Sequence, residues 1–431
     1  SVTSLAGYLS IQQSLSAIDR MEVRGRDSAG ISVMVSSPSF ASPSAEIAEA
    51  IAARADDPLF TNRSVRHSGN TIVFVYKAAA EIGELGDNTR HMREAVADDD
   101  LLRRVLAVSG ARTSVLGHTR WASVGIISEP NAHPVNGEEV DVENSAVSVA
   151  VLNGDVDNHA ELKLRHNLRF ADPITTDAKV IPALIDRGRA NGMSTLDAFL
   201  NAVTQFEGSV AIGYSNADEP EDFYLALHGS GQGLYVGLAE DRFIVASEPY
   251  GTVEETLNYV RLDGETPLHA DQPSSRGQVM RLSASGAGTL AGISMYAYDG
   301  TEISLSENNI QIAEVTTRDI DRGDSPHFLL KEISEAPRSF RKTIRGRTSV
   351  IDGKLVPDLD ATTLPHSILE RLANRSITRI RIIGQGTAAV AGTSLVPVLN
   401  SLLDSSMHVE ALTATELSGF GMHQDMSDML V

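Results

Sequence analysis

Apolar side chains recur at helical spacing through residues 5–20, and a polar, glycine-containing turn after them runs into the β-branched stretch ISVMV. The pattern predicts helix, loop and strand. A Ser/Pro-rich stretch, SSPSFASPSA at 36–45, predicts a surface loop, and EIAEAIAARA after it a helix. TIVFVYKAA predicts a buried strand, and the region Asp98–Leu106 begins another helix. From Ser114 onward short apolar runs bounded by Gly, Asn and Asp follow one another: SVLGHTR, VSVAVLNG, SVAIGYS, FYLALHG, LYVGLAE and RFIVASE. They predict antiparallel sheets, with helices around 157–168 and 176–206 to cover them, and so an α+β sandwich. The region 270–325 continues with short strands (QVMRLSA, ISMYAYD) and ends in a polar connector, TTRDIDRGDSP.

The period then changes. HFLLKEISEAPRSFRKTI predicts an amphipathic helix, and ITRIRIIGQGTAAVAGTSLVPVLNSLL a strand, a glycine turn and a helix, the opening of a doubly wound α/β domain. A further strand, HVEALTAT, follows, and DMSDMLV reads as a strand just begun. Two or three strands rarely close such a domain, so a longer polypeptide is expected.

With 42% hydrophobic and 22% charged residues, 431 residues suffice for two or three domains with sizeable cores. A net charge of −21 and the lack of any dense Lys/Arg block argue against nucleic acid as a partner. No apolar run approaches the roughly 20 residues that span a bilayer, and the start, SVTSLAGYLS, lacks the basic region of a signal peptide. A cytoplasmic protein without membrane contact is expected. Cysteine is absent and the histidines form no metal-ligand spacing, so neither disulfides nor a metal site is expected.

The chemistry concentrates in LGHTRWASVGIISEPNAHP, Leu116–Pro134. The guanidinium of Arg120 can grip a carboxylate through two parallel hydrogen bonds, and Trp121 beside it can wall off a site and lower its dielectric. Packing alone also produces Arg-Trp pairs; what favours a site is the company of three further segments in fixed order, EVRGRDSAG, LNGDVDNHAELK and TTDAKVI.

Together these segments resemble the class II, N-terminal-nucleophile glutamine amidotransferase domain of the glucosamine-6-phosphate synthase (glutamine–fructose-6-phosphate transaminase) family, where they read YRGYDSAG, HTRWAT, NGIIENY and TDTEV. The resemblance extends through GSGQGLYVGL, VASEPYG and HFLLKEISEAP to GQGTAA at the start of a sugar-isomerase (SIS) domain. It implies a four-layer αββα N-terminal-nucleophile sandwich over residues 1–310, with an insertion at about 36–112. It further implies a connector and helix at 311–345 and the N-terminal part of a doubly wound SIS domain, truncated, at 346–431.

By the same resemblance Arg120 holds the α-carboxylate of glutamine and Asp177 its ammonium group, with Trp121 and Ser123 lining the pocket. Asn153 and Gly154 match the oxyanion hole, where losing one donor typically costs about two to three powers of ten in rate. Arg24, Asp27 and Ser28 either line the site or cap a turn. Ser123 keeps the hydroxyl of the family's Thr, Val124 replaces a His and Lys179 an acid, which marks a divergent relative. Gly386 and Thr387 match the family's Gly-Thr at the sugar phosphate, where backbone N–H groups at a helix start suit an anion; Ala388 stands in place of a Ser. Glu416 matches a Ser-Glu segment without a firm role.

The family's nucleophile is an N-terminal cysteine whose own α-amine is the base. Three accounts stay open: the cysteine lies ahead of Ser1, Thr3 stands in its place, or the chain is a pseudo-enzyme with a retained pocket. Ser1 is a fourth, weaker nucleophile, because serine needs a stronger base than an α-amine provides. The activity implied is a cofactor-free transferase that makes glucosamine 6-phosphate and glutamate from fructose 6-phosphate and glutamine, as a homo-oligomer joined through SIS domains. The alternative is a catalytically silent glutamine or amino-sugar sensor that acts through assembly.

Overall fold

The computed structural model describes all residues except 1, 23–24, 80–84, 123, 141, 143–146, 315–324 and 359–363. It divides into two units, 1–321 and 322–431.

In the first unit a long helix, α1 (Val2–Met21), leads into β1 (Ser28–Ser36). Beyond a helix α2 (Ala45–Ala55) come β2 (Val65–Ser68), β3 (Thr71–Ala78), α3 (Asp87–Ala97), α4 (Asp100–Leu106) and β4 (Arg112–Arg120). These strands form one antiparallel sheet in the order β2-β3-β1-β4. Every residue of β3, and all but the last of β1, is buried. A strand closed on both faces has no reason to alternate, which explains why TIVFVYKAA is an unbroken apolar run.

One face of this sheet, with Ile31, Val33, Phe74 and Tyr76, packs beneath Ile11, Leu15 and Ile18 of α1 and the helices α3 and α4. The other face, with Met34, Val73, Val75 and Leu116, meets Val149 and Val151 of a second sheet. That sheet is built from β5 (Val135–Asn136), β6 (Ser148–Gly154), β7 (Val210–Asn216), β8 (Asp222–His228), β12 (Gln278–Ser283), β13 (Ile293–Ala297) and β14 (Glu302–Ile303). Its order is β14-β13-β12-β8-β7-β6-β5. Its outer face, with Leu152, Ile212 and Tyr214, is covered by α5 (His159–Arg165), α6 (Val180–Ala190) and α7 (Thr195–Val203). Helices, sheet, sheet and helices make the αββα sandwich, an α+β fold. A third sheet of β9 (Tyr235–Leu238), β10 (Phe243–Ala246), β11 (Asn258–Arg261) and β15 (Ile310–Ile312) runs in the order β10-β9-β11-β15.

The segment expected as an insertion, about 36–112, supplies β2, β3 and the helices α3 and α4, and so forms part of the first sheet and its covering layer. Its buried ion pair shows how closely it is built in. Arg54 grips Asp99 through two bonds of 2.9 and 2.7 Å, Tyr76 donates to the same carboxylate at 2.8 Å, and Asp99 caps α4 through the Leu102 N–H. The Ser/Pro stretch departs from a plain surface loop: a short 3-10 turn at Pro38–Ala41 carries Phe40 into the core with no exposure.

The second unit holds α8 (Phe328–Ile344), a hairpin of β16 (Thr348–Ile351) and β17 (Lys354–Pro357), α9 (His366–Ala373), β18 (Arg379–Gly384), α10 (Thr387–Leu402), β19 (His408–Thr413) and β20 (Met429–Leu430). Strands β19 and β20 lie on either side of β18 and parallel to it, which is a doubly wound arrangement. The connector TTRDIDRGDSP falls almost wholly outside the described residues. Among the described residues no helix is long and apolar enough to cross a membrane.

Two ionisable groups of the first unit are shut away from water on different strands and helices. Burial pushes the Asp186 carboxyl up to about 7, against hydrogen bonds from Ser148 at 2.5 Å and Tyr214 at 3.0 Å that favour the charged form. Burial, helped by the charge of Lys179, brings the Lys77 ammonium down to about 7, and its Nζ sits 5.3 Å from the centre of the Phe60 ring. A carboxyl whose pKa rises on folding holds its proton more tightly in the folded chain. Its contribution is therefore full below its ordinary value of 3.8 and is lost as pH rises through 7. For a lysine whose pKa falls, the contribution is full above 10.5 and is lost as pH falls through 7. The thermal midpoint followed from pH 4 to 10 is expected to pass through a minimum near neutrality. Asp186→Asn should flatten the acid limb and Lys77→Met the alkaline limb; limbs unchanged in both variants would remove these groups as the cause.

Candidate active site

Arg120 closes β4, and its side chain is taken almost wholly out of water, at 4% exposure. One end of a cavity of about 720 Å³ forms around it, lined also by Trp121, Asn153, Gly154, Asp155 and Asp177. Burial lowers the guanidinium pKa, and the charges of Asp177, Asp27 and Asp155 oppose the change. Its Nη2 donates to the Val124 carbonyl, while Nη1, closed to solvent, has no hydrogen-bond partner among the described residues. A buried donor left unpaired is costly, unless an acceptor completes it.

Asp177 begins a short 3-10 turn ahead of α6 and is likewise buried. Burial raises its carboxyl pKa, Asp155 adds to the rise, and the Val156 N–H, bonded to Oδ2 at 2.8 Å, works against it. A cation and an anion thus stand in one low-dielectric pocket, each keeping hydrogen-bonding capacity for a ligand, which suits a zwitterion.

Asn153 and Gly154 end β6 beside them, paired in register with Ala211 and Val210. Gly154 has φ +110°, and a Cβ there would lie 1.9 Å from the Ser209 carbonyl oxygen, so only glycine fits. Asp27 serves the Arg120 segment directly: its carboxylate accepts the Ala122 N–H at 2.9 Å, and its own N–H donates to the Arg120 carbonyl at 3.1 Å. Gly25 lets the two segments touch, since a Cβ there would lie 2.7 Å from the Trp121 nitrogen.

The structure brings Arg120, Asn153, Gly154 and Asp177 together. Trp121 stands at the cavity wall but is 74% exposed, so its indole does not close the pocket in this conformation. Ser28 is buried, with no partner for its hydroxyl among the described residues. Ser123, Arg24 and Ser1 lie outside the described residues. Thr3 is not brought to the pocket. It sits in the first turn of α1, whose next residue, Ser4, donates to the Leu106 carbonyl, whereas Arg120 is at the far end of β4. The length of β4 puts roughly 25 Å between them. Lys179 is buried away from the pocket wall, bonded to the Asn136 carbonyl at 2.7 Å and to its side-chain oxygen at 2.6 Å. In the second unit Gly386 caps α10 and Thr387 opens it, both exposed, at the turn after β18. Among the described residues no cluster of His, Cys, Asp or Glu is placed to hold a metal ion.

Two residues of the PNAHP segment support the site without having been singled out from the sequence. Asn131, fully buried, accepts the N–H groups of Thr175 and Thr176 at 2.7 and 2.9 Å and donates to the Pro173 carbonyl at 2.9 Å. His133 reaches Thr176 Oγ1 at 3.3 Å and accepts the Leu152 N–H at 3.3 Å, so it links the strand of Asn153 to the turn of Asp177. Its ring lies 4.7 Å from that of His118, and burial holds both imidazoles below their ordinary pKa, His118 at about 4. Both are therefore neutral at physiological pH. Their sequence signal was position alone: Asn131 and His133 share one short segment with Arg120.

No family model matches the chain. It is 30% identical over 341 residues to the isomerizing glutamine–fructose-6-phosphate aminotransferase of Oceanobacillus iheyensis, across 79% of this chain and 50% of that protein. The enzyme of the same name from Streptococcus pneumoniae serotype 4 is 29% identical over 346 residues, across 80% of this chain and 50% of its own length. The chain spans about half the length of the curated relatives it matches. Among solved structures, a Bacillus subtilis glutamine phosphoribosylpyrophosphate amidotransferase complexed with ADP and GMP is similar at a TM-score of 0.43 and 13% identity, across 93% of this chain and 62% of that one.

Asn131→Ala leaves the Thr175 and Thr176 amides and the Pro173 carbonyl unpaired. It is expected to lower stability by about 2–3 kcal/mol and to speed amide exchange at residues 174–178. Exchange there as slow as in the parent chain would show that Asn131 does not hold the Asp177 turn.

Proposed function

We propose a function for this chain from its relation to the isomerizing glutamine–fructose-6-phosphate aminotransferases, with which it shares about 30% identity over about four fifths of its length. The reading is a glutamine-dependent amidotransferase. Its first unit removes the side-chain amide of glutamine, and its second receives a ketose phosphate, fructose 6-phosphate by analogy with the relatives' names, to give an amino-sugar phosphate and glutamate. The observation that carries the proposal is buried Arg120, whose Nη1 has no partner among the described residues, lining one pocket with Asp177 and the Asn153–Gly154 strand end.

In this reading Arg120 pairs with the α-carboxylate of glutamine and Asp177 with its ammonium group. The two charges fix the zwitterionic end and orient the side-chain amide toward Asn153 and Gly154. As the amide carbon becomes tetrahedral, its oxygen gains negative charge, and the Asn153 side-chain amide and the Gly154 N–H stabilise it. The attacking nucleophile is assigned to none of the 431 residues, because the sequence holds no cysteine. Gly386 and Thr387 are the residues proposed to meet the sugar phosphate at the start of α10. Assembly through the second unit and a cytoplasmic location belong to the same proposal.

Calorimetry with glutamine provides the test. Arg120→Ala and Asp177→Asn are each expected to weaken binding by about 10- to 100-fold, the worth of one charge-assisted hydrogen bond lost, with circular dichroism verifying that each variant is folded. Equal affinity in parent and folded Arg120→Ala protein would remove the carboxylate assignment, and the same result in Asp177→Asn the ammonium assignment.

A further inference from the structure

Two lysines are folded into the interior of the first unit with no carboxylate of the described residues in contact. Lys77 lies on β3 in line with Val73 and Val75, on the face turned toward the second sheet. Its Nζ is closed to solvent and has no hydrogen-bond partner among the described residues. Lys179, in the turn ahead of α6, is as deeply buried and donates to both oxygens of Asn136. With its oxygen so engaged, the Asn136 side chain keeps a buried Nδ2 that has no partner among the described residues either.

The fold brings these groups together. A Cβ at Gly30 would lie 3.1 Å from Cγ of Lys77 and 2.3 Å from the His133 carbonyl oxygen, so Lys77 runs past the segment that reaches Asn136 three residues later. The Phe60 ring has Lys77 Nζ 5.3 Å and the Arg66 guanidinium 5.4 Å from its centre, and Arg66 is paired with Glu138, two residues beyond Asn136. Phe170 lies 5.6 Å from Lys179 Nζ. After burial, the charge of Lys179 is what most lowers the Lys77 ammonium.

The carboxylates whose charge reaches the two lysines are engaged elsewhere. Glu129 accepts the Asn62 N–H, Asp57 the N–H groups of Leu59 and Thr61, and Asp186 the hydroxyls of Ser148 and Tyr214. Glu138 is taken by Arg66 and Glu139 by Arg187. An ammonium out of water without a counter-ion is among the costliest groups to bury, and unmet buried donors call for an acceptor. Lys77, Lys179 and Asn136 are not among the residues lining the cavity at Arg120, so a ligand of that pocket does not supply it. All three are at most 4% exposed, with two aromatic rings beside them, so an entering ion must shed its water. That condition selects a weakly hydrated monatomic anion over fluoride or a bulky oxyanion.

We propose that Lys77, Lys179 and Asn136 hold one halide ion, chloride under physiological conditions. The ion accepts from Lys77 Nζ and Asn136 Nδ2 and sits in the field of Lys179. It ties β3 of the first sheet to β5 of the second and, through Lys179, to the turn that carries Asp177. The inference rests on these three residues and holds whether or not the pocket binds glutamine.

The test follows the thermal midpoint of the full chain at constant ionic strength as sodium fluoride is replaced by sodium chloride or bromide. It is run at pH 6, where the Lys77 ammonium, brought to about 7 by burial, carries its charge. A saturable rise of about 4 °C is expected by about 100 mM chloride, with bromide acting alike. Lys77→Met, close in length and uncharged, should lose the rise while remaining folded by circular dichroism. Crystals of the unaltered chain grown in bromide should show an anomalous-scattering peak in contact with Lys77 Nζ and Asn136 Nδ2. A midpoint indifferent to halide, an equal rise in folded Lys77→Met protein, or bromide at the surface alone would overturn the proposal. No glutamine enters these measurements, so their failure is separate from any failure of glutamine binding.

Discussion

The guanidinium of Arg120 is buried at the end of a strand, and much of the surrounding architecture answers that one fact. A charge removed from water needs compensation, and burial without it costs several kcal/mol even after relaxation. Compensation here comes at a remove: Asp27, Asp155 and Asp177 act on Arg120 through their charge, and its direct hydrogen bond goes to the neutral Val124 carbonyl. Those three carboxylates arrive on three separate segments, each held by its own backbone bonds. Asp27 is fixed by the Ala122 N–H and Asp177 by Val156, and Asp155 follows Gly154, whose φ only glycine adopts easily. The arrangement keeps the positive charge tolerable and yet leaves Nη1 without a partner among the described residues.

That division of labour explains which parts were legible in the sequence. The strands and helices of the sandwich were readable because each buries an apolar face or run, and burial is written directly into residue type. Arg120, Asn153, Gly154 and Asp177 were readable as a set only through the order of their segments, since an Asn-Gly alone is most often a turn. Asn131 and His133 were not, because their work is to satisfy backbone N–H groups distant in the chain, those of Thr175 and Thr176 for Asn131 and that of Leu152 for His133. No local pattern encodes such a bond. Phe40 escaped for a related reason: one aromatic in a Ser/Pro stretch gives no period, and only the fold shows the hole it fills. Thr3 illustrates the converse, since alignment of letters offered it a role that the course of α1 removes.

Polar groups elsewhere in the core follow the same logic as Arg120 with a different outcome. Lys179 reaches two oxygens of Asn136, and Asp186 is held by Ser148 and Tyr214, so each is satisfied inside the protein. Both are buried, Lys179 tying the turn ahead of α6 to β5 and Asp186 tying α6 to β6 and β7. Satisfied buried networks specify a packing arrangement, whereas an unsatisfied one marks a place meant for something else.

Among the unsatisfied buried groups of the first unit, Arg120 is the one whose residue lines the cavity beside a buried carboxylate, Asp177. Arg120 Nη1 has no partner among the described residues, and β4 and β10 are each the last strand of their sheet. A single sandwich could have ended its sheets against solvent with charged or short edge strands. Instead β4 is nine residues long, with Leu116 buried at its middle, and it lines the cavity along its whole length together with Ser10, Ser14 and Ala17 of α1. The opposed charges of Arg120 and Asp177 stand at one end of this space, where burial raises the carboxyl pKa and lowers that of the guanidinium.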